Sequence, residues 1–130
     1  MVTSLISKSI VEIIKAHRGQ CLFSDNGLKL EYEDLVETIE EFGKQLSSID
    51  MENNNVCALV LPNGIDMAIS FLALANFATV SPLNPNYTKE EFLFFLEDLN
   101  CEFIVTDNHA SNSLLEAAKQ LKIKLKFFRN

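Results

Sequence analysis

Asn63-Gly64 stands where an α/β chain can cradle a phosphate, directly after an apolar run and at the start of a helical pattern. Backbone N–H groups at such a point can face an anion. The pair carries a single glycine and no Lys follows it, so neither a Walker loop nor a GxGxxG fingerprint is present. The spacing therefore predicts a structural cap, with Asn63 as N-cap and Asp66 in the first turn, ahead of a phosphate site.

The histidines are His17 and His109. His17 falls near a helix C-terminus, where a cation is mildly favoured. Neither histidine has a Ser or Cys nucleophile motif beside it, and their spacing fits no metal signature. Surface roles are expected for both. The acidic runs Glu31, Glu33, Asp34, Glu37, Glu40, Glu41 and Glu90, Glu91 fall on helical patterns. A paired-carboxylate site needs convergence from separate elements, so solvated faces and helix-start charges are the expectation. Phe92, Phe94 and Phe95 lack interleaved Lys or Arg and predict core or interface packing rather than base stacking. No catalytic, cofactor-binding or metal-binding residue is assigned on this reading.

The three cysteines Cys21, Cys57 and Cys101 have no short spacing of a zinc or redox site. Cys57 and Cys101 sit in apolar strand-like contexts and are expected to be buried, unpaired thiols in a reducing compartment, hence cytoplasmic. The net charge of −7 gives no footprint for nucleic acid, and Lys119, Lys122, Lys124 and Lys126 are too sparse to make one. The first residues are interrupted by Ser7, Lys8, Ser9 and Glu12, so no secretory signal is expected. The apolar helix near residue 70 is too short to span a membrane.

At 130 residues the chain is expected to be a single domain, residues 1–130, able to bury a core. Leu5, Ile6, Ile10, Ile13 and Ile14 predict a helix over 3–17, with Gly19 as its stop. Asn26-Gly27 between short apolar runs predicts a β-hairpin. Leu35, Ile39, Phe42, Leu46 and Ile49 form one apolar stripe of a helix over 33–49. Val56 to Leu61 reads as a strand covered on both faces, ended by Pro62. The helix over 64–77 is apolar nearly all round, from Ile65 to Phe77, and must be covered on most sides. A chain this short is not expected to cover it fully, which predicts a large apolar patch and association.

Strand Thr79-Val80-Ser81 leads to an extended loop bracketed by Pro82 and Pro85. Thr88 to Glu91 spells a capping box before a helix that ends near Asn100. A strand over 102–106, a helix over 109–121 and a strand over 124–128 complete the pattern. The fold class is α/β: a mainly parallel sheet flanked by helices, with an N-terminal helix and a β-hairpin. Right-handed crossovers place successive strands side by side or nearly so.

Five segments in order resemble the adenylate-forming (AMP-binding) superfamily. Leu30-Glu31-Tyr32-Glu33-Asp34-Leu35 resembles its first core motif. Leu61-Pro62-Asn63-Gly64, Phe71 to Ala75, and Val80-Ser81-Pro82-Leu83-Asn84-Pro85-Asn86-Tyr87-Thr88 through Phe92 resemble its second, in wording similar to the oxalate–CoA ligase branch of acyl-CoA synthetases. Glu97-Asp98 and Phe103 to Asp107 continue the likeness, which covers roughly residues 20 to 128. Two places depart from it. Glu31 stands where Ser or Thr usually caps the helix, and Asn76-Phe77 where Ala-Gly is usual.

The resemblance implies an enzyme that converts a carboxylate and ATP to an acyl-adenylate and pyrophosphate, then to a CoA thioester. ATP, magnesium and CoA serve a full-length member. The family's Ser/Thr/Gly-rich ATP loop and its catalytic lysine lie C-terminal to the region matched, so the chain alone is expected to be inactive, a fragment or truncated relative. It is expected to associate with itself or with the missing remainder of a synthetase. The alternatives are a stand-alone, non-catalytic binding or scaffolding module, and a small ligand-binding protein whose crevice lies near Pro62-Asn63 and Pro82 to Asn86.

Overall fold

The structure is a computed structural model that describes residues 12–23, 27, 29–47, 56–75 and 78–128. These fall into two compact units, Met1–Asn53 with Asn63–Phe77, and Asn54–Pro62 with Ala78–Asn130.

In the first unit residues 12–15 are helical; of the helix expected over 3–17, residues 3–11 lie outside the described residues, and its end comes two residues early, in a turn at Ala16. Ile14 is buried there and Ile13 is exposed. Gly19 follows at φ +98°, a left-handed conformation that glycine adopts freely. Strand β1 (Gln20–Phe23) pairs antiparallel with β2 (Lys29–Glu31), as the hairpin pattern predicts.

Helix α1 (Tyr32–Ser47) begins where β2 ends. The Glu31 amide donates to the Asp34 carboxylate at 3.3 Å, half of a capping box without a Ser or Thr at its head. Leu35 and Ile39 of the expected stripe are buried, and Val36 joins them. Helix α2 (Ile65–Leu74) packs against α1. Ile69, Ser70, Ala73 and Leu74 are buried along it. It is shorter than the apolar run over 64–77, because Ala75 closes it with its amide on the carbonyl of Phe71. Asn76 and Phe77, the second departure from the family wording, lie outside the described residues.

The second unit holds a four-stranded sheet in the order β4-β3-β5-β6, parallel throughout. Its strands are β3 (Val56–Leu59), β4 (Thr79–Pro82), β5 (Phe103–Thr106) and β6 (Lys124–Phe127). Cys57 to Leu61 and Phe103 to Thr106 are buried without alternation, as central strands require. The outer strands β4 and β6 stay partly open.

Helices α3 (Lys89–Asp98) and α4 (Asn112–Leu121) pack side by side. Phe92 and Leu96 of α3 and Leu114, Ala117 and Ala118 of α4 share one core with Ala58, Val60 and Ile104 of the sheet. Both helices therefore lie on one face. Thr88 caps α3 with a full capping box, as its sequence predicts. Helix α4 starts at Asn112, not near 109. Asp107 first ties down a turn by accepting the His109 amide at 2.9 Å, and Ser111 then caps the helix.

Both helices end alike. The Asn100 and Cys101 amides reach back to the Glu97 and Leu96 carbonyls, and the Lys122 and Ile123 amides to those of Lys119 and Ala118. These are Schellman pairs, with Asn100 and Lys122 in the left-handed conformation at φ 51° and 57°.

Candidate functional site

In a parallel sheet, ligand sites form outside the strand C-termini, where the connection order reverses. Here β3 leads to β4 on one side, and the chain then crosses back to β5 on the other side of β3. The reversal point lies between the C-terminal ends of β3 and β5. The Val60 amide donates to the Val105 carbonyl at 2.9 Å, one residue past the end of β3. The buried Thr106 hydroxyl donates to the Val60 carbonyl at 2.8 Å. Beside them the Leu83 amide donates to the Leu59 carbonyl at 2.9 Å, and Asn84 closes the Pro82 to Asn86 loop by accepting the Asn86 amide. The polar groups at this edge are thus committed to holding strand ends together. Thr106 is a residue that sequence reasoning passed over. Its only signal is a hydroxyl at the end of the apolar run Phe103-Ile104-Val105.

The cap expected at Asn63 is not formed. Gly64 is the N-cap of α2, at φ 153° and ψ −167°, with no side-chain hydrogen bond. That conformation is open essentially to glycine alone, and it turns the chain into helix one residue after Asn63. Asn63 is exposed. Asp66 sits in the first turn, so a carboxylate already faces the positive end of the helix. This arrangement does not suit a second anion.

His17 and His109 occupy separate surface places. The His17 Nδ1 donates to the Ile13 carbonyl at 2.7 Å, and its ring lies 5.3 Å from that of Tyr32. With Ile14, Lys15, Arg18, Tyr32, Glu33 and Val36 it lines a pocket of about 370 Å³. The cations there are paired, Arg18 with Glu33 at 3.3 Å and Lys15 with Glu40 at 3.8 Å. Arg18 also donates to the carbonyls of Lys15 and His17. The pocket therefore holds no unpaired cation for an anionic ligand. His109 is 83% exposed, and its Nδ1 is 3.9 Å from Asp107.

The acidic residues of α1 and of the start of α3 are exposed, as expected of solvated faces. Cys57 and Cys101 are buried thiols, and Cys21 is half-buried with its thiol donating to the Leu30 carbonyl at 3.4 Å. Burial raises the pKa of Cys57 above the ordinary thiol value, and the nearby Cys101 adds to the shift. Burial raises that of Cys101 as well. Both stay protonated at neutral pH and neither is a nucleophile. Among the described residues no group of three or more His, Cys, Asp or Glu side chains converges to hold a metal ion.

The profile of the family described as AMP-binding enzyme matches residues 13–128. An oxalate–CoA ligase of Arabidopsis thaliana is 36% identical over 96 residues, which are 72% of this chain and 19% of that protein. A dimodular nonribosomal peptide synthase of Bacillus subtilis is 30% identical over 98 residues, 75% of this chain and 4% of that protein. The chain thus spans about a fifth of the ligase's length. Among solved structures, the luciferase-like enzyme of the nonluminescent mealworm Zophobas morio superposes with a TM-score of 0.81 at 16% identity, over 95% of this chain and 31% of that one. This last likeness concerns the fold.

Proposed function

Because this chain belongs to the AMP-binding enzyme family, we propose that it is scaffold for an adenylate-forming acid–thiol ligase and does not catalyse by itself. In the reaction, a carboxylate oxygen attacks the α-phosphorus of ATP and pyrophosphate leaves. A thiol such as CoA then displaces AMP from the acyl carbon. The chemistry proceeds with ATP, magnesium and CoA held elsewhere in a longer protein. The observation that carries the reading is the commitment of the strand ends: Thr106 is bonded to Val60, and Leu83 to Leu59. The names of two relatives, an oxalate–CoA ligase and a nonribosomal peptide synthase, support the reaction class.

Helix α2 supports a larger assembly. Ile65, Met67, Ala68 and Leu72 are only half-buried, and Phe71 is 40% exposed. Such a surface is covered by the rest of a synthetase, or by a second copy when the chain is alone. Protonated, unpaired thiols suit the cytoplasm.

The test is exchange of labelled pyrophosphate into ATP by the purified chain, with oxalate and then a panel of carboxylates. No exchange above the protein-free blank is expected. Exchange with any acid overturns the proposal. Adding the remainder of an oxalate–CoA ligase as a separate chain is expected to bring exchange only if the two chains associate.

A further inference from the structure

Helix α3 buries Phe92 and Leu96 on its inner side. Directly opposite them, at the centre of its outer side, stands Phe94, 64% exposed. An outward helix position needs no aromatic ring for folding. Phe94 is also not isolated. Its ring meets that of Phe95 edge-on at 5.3 Å, Phe95 stacks on Tyr87 at 4.9 Å, and Tyr87 meets the buried Phe92 edge-on at 5.5 Å. A continuous aromatic run thus leads from the core to solvent, so its outer end is held rigidly. A rigid aromatic side chain loses little freedom on contact and makes an efficient anchor.

Residues three and four positions away on a helix flank a given side chain. For Phe94 these are Glu90 and Glu91 on one side and Glu97 and Asp98 on the other, all four exposed. None of the ion pairs among the described residues involves them. Glu91 is partly engaged, since one of its oxygens receives the Thr88 amide and hydroxyl. Lys89 at the start of the helix is the one cation within α3. The face is an apolar anchor inside an acidic rim, with no cation among the described residues satisfying the rim.

We propose that the outer face of α3 is a docking surface for a protein segment rich in arginine that carries an apolar socket or side chain for Phe94. Charge complementarity selects the partner's sign. Arginine fits better than lysine, because a guanidinium can lie flat on the Phe94 ring while it donates to two carboxylate oxygens. The inference does not depend on the ligase reading, since it uses only α3 and its neighbours.

The probe is a synthetic helical peptide with leucine along one side and arginine along the other, added to the isotope-labelled chain. Binding is expected to shift backbone amide resonances of residues 89–98 and to weaken with salt. Phe94→Ala is expected to weaken it about tenfold or more, as for an interface anchor. The double variant E90Q/E97Q is expected to flatten the salt dependence while leaving the fold unchanged. Replacing arginine by lysine in the peptide is expected to weaken binding. Shifts centred elsewhere overturn the proposal, as does binding unaffected by Phe94→Ala, which marks general attraction to an acidic protein. Concentration-dependent self-association abolished by Phe94→Ala also overturns it, because the occupant is then a second copy.

Discussion

The hydroxyl of Thr106 donates to the carbonyl of Val60 at 2.8 Å, joining the ends of the two central strands where the order of connection reverses. Both residues are buried. Thr106→Val keeps the shape and leaves that carbonyl without its donor. A loss of about 1–3 kcal/mol is expected. It should appear as a lower urea midpoint at unchanged m-value. An unchanged midpoint counts against a clamping role for Thr106.

Gly64 and Asn63 are expected to separate cleanly. Nothing lies within 4 Å of where a Cβ would stand at Gly64, so the demand is on the backbone, at φ 153°. Gly64→Ala is expected to cost about 1–3 kcal/mol. Asn63→Ala, beside it and exposed, is expected to stay within about 0.5 kcal/mol of the parent. Equal losses for the two, measured by chemical denaturation, would return the capping role to Asn63.

Lys122 is held at φ 57° in the left-handed region that favours glycine. Lys122→Gly relieves that strain and is expected to raise stability by up to about 1 kcal/mol, despite the greater freedom of glycine in the unfolded chain. Asn100 fills the matching place after α3 with a residue better suited to it. Asn100→Gly should therefore gain less than Lys122→Gly in thermal melts of the two variants.

The thiols make stability fall in alkali. Burial raises the pKa of Cys57 and Cys101 above the ordinary 9.0. Above about pH 9 the unfolded chain loses thiol protons that the folded chain keeps, so unfolding gains. Stability from these groups is fully present below pH 9 and is lost above it, by at most about 1.4 kcal/mol per thiol per pH unit. Cys57→Ala is expected to reduce the slope of stability against pH. In the native chain at pH 8, alkylation followed by mass spectrometry is expected to reach half-buried Cys21 before the other two. Simultaneous reaction of all three would contradict their burial.

The sequence carried the fold where its signals are local. The unbroken apolar runs at Cys57 to Leu61 and Phe103 to Val105 announced central strands, and Thr88 with Glu91 announced a helix start. It misled where a backbone freedom displaced a side-chain preference, as at Asn63, whose capping place Gly64 takes. It also misled where one turn delayed the next element, as Asp107 delays α4 until Ser111. The aromatic run predicted core or interface packing without saying which ring takes which part; Phe92 is buried and Phe94 exposed, because neighbouring helix positions differ in direction. The bond of Thr106 to Val60 was not legible, since its partners lie 46 residues apart.

That separation bears on synthesis. Strand β3 can pair with β4 soon after both leave the ribosome, but its other edge waits for β5. At about 5–20 residues per second the wait lasts roughly 2–9 seconds. Throughout it the inner edge of an apolar strand stands open, and other chains compete with β5 for it. Slower elongation between the codons for β4 and β5 therefore lengthens the period of risk, and a chaperone that covers an apolar strand edge is most useful in that interval.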